Sequence, residues 1–133
     1  MITIPVSFGE LVDKITILEL KLQYIKESSK ISNIKRELSL LNESCHTYCQ
    51  QHSTSIKHQI YPVRCNLTEI NKQIWVIEDD IRKKEKLKEF DEKFVQLARS
   101  IYINNDKRAQ LKRQLNEIVK SEVQEEKSYE KYD

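Results

Sequence analysis

The 133-residue chain is 33% charged and 38% hydrophobic, with one glycine and two prolines. So few breakers exclude an all-β fold, which needs many turns, and favour long helices in a single domain over residues 1–133. Its 23 basic and 21 acidic side chains leave a net charge of +2, too little for the basic field that draws nucleic acid, and no apolar run of about 18 residues offers a membrane span.

The first seven residues predict an extended N-terminal arm. Ile2, Ile4 and Val6 alternate, but Pro5 keeps the segment out of a central strand and one strand makes no sheet, so an arm packed on the helices is expected. The N-terminus has no basic flank and no A-x-A-like site, so no signal peptide is expected. Three cysteines without an export signal point to free thiols and a cytoplasmic location.

The best-marked helix start follows. Ser7 and Glu10 have capping-box spacing, and Val6 and Leu11 stand where a hydrophobic staple sits. Leu11, Ile15, Leu18, Leu22 and Ile25 then recur at heptad spacing, with Ile17, Leu20 and Tyr24 as a second apolar line. A helix apolar on two sides needs more than one neighbour, so this one, about 8–27, is expected inside a bundle. Ser28-Ser29-Lys30 predicts a turn, and Ile31, Ile34, Leu38, Leu41, Cys45 and Tyr48 give a second helix, about 30–51, folded back on the first. In the third, about 55–87, apolar spacing from Ile56 to Ile81 runs straight through Pro62, which predicts a bend or a restart there. Asp91 can cap a fourth helix, about 91–122, whose seam is interrupted by Asn104 and Arg108. One continuous helix is favoured over a break at Asn104-Asn105-Asp106, although Asn and Asp suit turns. Residues 123–133 lose the seam and read as a docked or frayed tail. The expected fold is an all-α antiparallel bundle of about four long helices with an extended N-terminal arm, which pairs with the tail near Lys127–Tyr129.

Chemistry-bearing residues fall into a few groups. Cys45, Cys49 and His52 share a helix face, but no CxxC pair is present and Cys45 sits on an apolar seam, so no metal and no cofactor are expected. Glu10 and Asp13 have the spacing of a magnesium-binding acidic pair, without the second acidic motif on a facing helix that such sites need. There is no Gly-rich phosphate loop and no nucleophile elbow. The basic clusters at Arg82–Lys88 and Lys107–Arg113 are interleaved with acids and read as solvated faces rather than a nucleic-acid surface. Three mixed stripes are more informative. Asn71, Trp75, Glu78 and Arg82 line one face of the third helix. Arg99, Tyr102, Asn105, Asp106 and Lys112 lie along the fourth, and Glu10, Lys14 and Lys21 on the first with Asp13 beside them. Facing one another, with Arg108, these stripes would make either a salt-bridge network that sets register or a pocket for an anionic small molecule.

Pro5 to Lys21, Trp75-x-x-Glu78-Asp79 with Arg82, Leu97-Ala98-Arg99-Ser100-x-Tyr102, Asn105-Asp106-x-Arg108-Ala109 with Lys112, and Glu126-Lys127-Ser128-Tyr129 carry a resemblance over nearly the whole chain. The chain resembles a small bacterial family of unknown function whose members open with PVSxGELxDKITILExK. The resemblance implies a compact cytoplasmic helical protein, loosely associated with surface-polysaccharide gene neighbourhoods. Cys45 to Cys65 has no counterpart in that pattern. The leading expectation is a non-enzymatic helical binding or scaffold protein that self-associates as a homodimer or meets a protein partner. The alternative is a small helical-bundle enzyme, or a binder of an anionic small molecule such as a nucleotide or sugar phosphate, using Glu10, Lys14, Trp75, Glu78, Arg82, Arg99, Tyr102, Asn105, Asp106, Arg108 and Lys112.

Overall fold

A computed structural model describes all 133 residues. It is an all-α bundle of four helices, α1 (Phe8–Tyr24), α2 (Ser28–Cys49), α3 (Thr54–Lys86) and α4 (Glu92–Val119), with no strand. None is long and apolar enough to cross a membrane.

The helix starts follow from their caps. Ser7, Ser53 and Asp91 hold extended backbone and accept from the amides of Glu10, Ile56 and Phe94, satisfying donors that a helix start leaves free. α1 is the hub: it packs against each of the other three helices, and α3 packs along α4. Its two apolar lines explain this. Phe8, Val12 and Ile15 join Cys45 of α2, Ile60, Val63 and Leu67 of α3, and Leu115 and Val119 of α4 in one core, and the Phe8 ring stacks on Tyr48 at 5.2 Å.

Several boundaries differ from the sequence expectation. α1 stops at Tyr24 rather than near Glu27, because Ile25 takes an extended conformation. The turn is therefore Ile25 to Glu27, and Ser28-Ser29-Lys30, expected as the turn, forms the first residues of α2. α3 neither restarts nor breaks at Pro62, which lies within the helix. Pro62 is exposed while Ile60, Val63 and Leu67 are buried; it leaves the His58 carbonyl without an intrahelical donor but leaves the core seam intact. α4 is continuous through Asn104-Asn105-Asp106 and ends at Val119, because Lys120 turns into the left-handed region at φ 55°. The arm is not packed on the helices: residues 1–6 are exposed and join no backbone hydrogen bond, to the tail or elsewhere. Pro5 has no amide to donate, and there is no sheet for the alternating residues to join.

The helices are unequal. α3 has 33 residues and α1 only 17, roughly 50 Å against roughly 25 Å. The α3–α4 hairpin therefore projects past the end of α1, and no residue between 72 and 103 is buried.

Candidate functional site

The site is built where α1 lies closest to α4. Gly9 makes the approach possible: a Cβ there would press on the Lys112 carbonyl, within 2.9 Å of its carbon. The Gly9 amide instead donates to Asn116 Oδ1 at 2.7 Å. With the helices this close, Glu10 in the first turn of α1 and Asp13 one turn on both reach α4.

Asp13 is fully buried. Its Oδ1 accepts from Asn71 Nδ2 of α3 and from Arg108 Nε of α4, each at 2.9 Å, and its Oδ2 accepts from the Arg108 guanidinium. Thr16 closes the layer, donating to the Asp13 carbonyl at 2.8 Å and accepting from Asn71 Nδ2 at 3.0 Å. A carboxylate removed from water is tolerated only when paired and hydrogen-bonded, and both oxygens of Asp13 are occupied. The Asp13 hydrogen bond holds Arg108 above the ordinary arginine range. This layer ties three helices at one point along α1.

One turn further along α4 the arrangement opens. Lys112 Nζ donates to Glu10 Oε2 at 2.6 Å and to Glu125 Oε2 at 2.9 Å. Burial pushes the Lys112 ammonium down, but its hydrogen bonds to Glu10 and Glu125 outweigh burial and leave it above its ordinary value. Glu125 belongs to the C-terminal tail, which Lys120 and the Ser121 amide, bonded to the Asn116 carbonyl at 2.9 Å, turn back along α4. The tail is fastened by Glu126 to Arg113 at 2.9 Å and by the Tyr132 hydroxyl to Asp106 at 2.5 Å. Tyr132 also meets the Tyr102 ring edge-on at 5.2 Å. Between α1, α4 and the tail lies an open cleft of about 720 Å³, walled by Glu10, Tyr102, Asn105, Asp106, Arg108 and Lys112 and roofed by Glu125, Lys127, Tyr129, Glu130 and Tyr132.

The polar residues marked in the sequence divide accordingly. Glu10, Tyr102, Asn105, Asp106, Arg108 and Lys112 converge on the cleft, and Lys14 stands beside it, 3.7 Å from Glu10. Trp75, Glu78, Arg82 and Arg99 do not join them. Trp75 stacks on Tyr24 at 5.2 Å, where α1 ends. Glu78 and Arg82 pair with each other at 3.2 Å on α3, and Arg99 is exposed. Of the expected third-helix stripe only Asn71 reaches the site: Trp75 meets the last residue of α1, and Glu78 and Arg82 lie beyond it. The sequence reading placed Asp13 beside its stripe rather than at the centre, and missed Thr16, Asn116 and the whole tail. The Glu126-Lys127-Ser128-Tyr129 run was the one signal that pointed to the tail.

The acidic pair is spent as well: Asp13 is held by Arg108 and Glu10 by Lys112. The Cys45–His52 face is packing. Burial, then the neighbouring Cys49, push the Cys45 thiol up to about 11, and the His52 ring lies 4.9 Å from Tyr48.

No curated protein and no solved structure matches the chain. A family of unknown function (DUF6165) matches residues 2–132, and the chain belongs to that family.

Proposed function

We propose that the protein is a non-enzymatic helical binding module whose cleft takes a small anionic molecule, with a sugar phosphate or a nucleotide as fitting chemistries. One observation carries this reading: a single tail carboxylate, Glu125, bridges Lys112 at 2.9 Å and Lys127 at 3.1 Å at the mouth of the cleft. Lys112 is 11% exposed while Glu125 is 45% exposed, so the anion is the partner that water and solutes can reach. A ligand phosphate or carboxylate arriving there replaces one charge-assisted contact with another, and Tyr102, Tyr129 and Tyr132 offer ring faces to the remainder of the molecule.

The titration pattern supports binding rather than proton transfer. The hydrogen bond from Lys112, then that from Lys127, hold Glu125 below the ordinary carboxylate value. Hydrogen bonding to Asp106 raises Tyr132 to about 12. These shifts, and those of Arg108 and Lys112, move groups away from neutrality, opposite to what an acid–base catalyst needs.

Calorimetric titration with AMP, a hexose phosphate and citrate tests this reading. Wild type is expected to bind at least one, Glu125→Gln to bind it on the order of tenfold more tightly because the competing charge is gone, and Lys127→Ala to bind it more weakly. Absence of saturable binding to all three, in wild type and in Glu125→Gln, overturns the reading.

A further inference from the structure

The projecting α3–α4 hairpin has an apolar seam but no buried residue: Ile74, Ile77, Ile81, Phe94, Leu97 and Ile101 are all only part-covered. Two helices alone cannot enclose a core. About a third of a turn around the helix from this seam, Val76, Asp80 and Lys83 of α3 and Leu87 at its C-cap form a second line at spacings of four, three and four residues. Val76 is 44% and Leu87 64% exposed. Asp80 and Lys83 reach only each other, at 3.8 Å within the same helix and with side chains 46% and 75% exposed. Such a pair is weak and exchangeable.

The order of this line is its own complement. Reversed, it still reads apolar, charged, charged, apolar, with the charges exchanged. Laid antiparallel against a second α3 about a two-fold axis between Asp80 and Lys83, Val76 meets the partner copy's Leu87 and Asp80 meets the partner copy's Lys83, each contact occurring twice. A parallel arrangement would place like charges together. A closed two-fold interface requires a surface of this kind, and opposite charges in register select both partner and orientation.

We propose that two copies of this chain associate antiparallel through the line of Val76, Asp80 and Lys83 on α3 and Leu87 at its C-cap, so that each copy covers the other's exposed Val76 and Leu87. The proposal is independent of the cleft, whose walls lie on other elements.

The full chain is tested by sedimentation velocity over a concentration series. Wild type is expected to sediment as a dimer. Asp80→Lys puts two lysines on the line and Lys83→Asp puts two aspartates there, so each variant alone is expected to dimerise at least about tenfold more weakly. An equimolar mixture of the two is expected to recover the dimer, because every cross-contact then pairs opposite charges. Both positions are exposed, and unchanged circular dichroism confirms that folding is intact. Val76→Asp is a second probe, expected to abolish the dimer without touching the ion pair. A wild type that stays monomeric overturns the proposal. So does a dimer indifferent to these changes, or one that the mixture fails to restore.

Discussion

Asp13 and Asp80 are both aspartates on long helices with a basic partner, and their surroundings separate two regions of the molecule. Asp13 is fully buried, with both oxygens taken by Arg108 and Asn71. Asp80 shares a loose contact with Lys83 at the part-exposed surface of α3. Each has charged neighbours in sequence, Asp13 beside Lys14 and Asp80 beside Asp79; the presence or absence of α1 makes the difference. Where α1 lies against α3 and α4, pairing happens out of water, its geometry is unique, and loss of one partner leaves a costly orphan. Where α1 has ended, the ion pairs are interchangeable with water or with another chain.

The sharpest way to break this contrast is substitution at its two aspartates. Asp13→Ala leaves Arg108 half-buried without its carboxylate and removes the Asn71 bond to it, and is expected to cost about 3 kcal/mol or more of unfolding free energy in a urea titration. Asp80→Ala, by the same measurement at a concentration where the chain is monomeric, is expected to cost under about 0.5 kcal/mol. Equal costs would remove the distinction. Gly9→Ala tests the close approach that creates the buried layer: its added methyl has no room against the Lys112 carbonyl, so α1 must move off α4, with an expected cost of about 2 kcal/mol. If the substitution instead stabilises the protein through better helix propensity, the close approach is not obligatory.

A smaller effect concerns the tail over the cleft. The un-ionised Tyr132 hydroxyl donates to Asp106, and its value is raised from 10.0 to about 12. Its contribution to docking is therefore complete below pH about 10 and is lost as pH rises through about 12. The Glu125 carboxylate, shifted downward by Lys112 and Lys127, contributes above its ordinary 4.5 and loses that contribution as pH falls below it. Amide NMR of the tail should show release at both extremes, and Tyr132→Phe should erase only the alkaline step.

Much of the fold was legible in the residues. Ser7 with Glu10 and the heptad spacing after them located α1 and its role as hub, and the seam from Ile56 to Ile81 predicted a helix on both sides of Pro62. What was not legible is instructive. Ile25 continues the heptad spacing yet leaves the helix, since spacing alone carries no stop signal. Trp75, Glu78 and Arg82 share a face with Asn71, but periodicity describes one helix and cannot say how far its neighbour extends. Asp13 looked like one charge among several, because burial depends on the approach that Gly9 permits. The tail was unreadable as a wall of the cleft, since its contacts to Lys112, Arg113 and Asp106 follow no helical period.

Native-state hydrogen exchange on the full chain tests the division into a locked and an exchangeable region most directly. At a concentration where the protein is monomeric, amides around Asp13, Asn71 and Arg108 are expected to exchange only through global unfolding. Those between Val76 and Leu97 are expected to open locally at a far lower free energy. Uniform protection along α3 and α4 would contradict the account, because it would mean that the hairpin needs neither α1 nor a second chain to hold its structure.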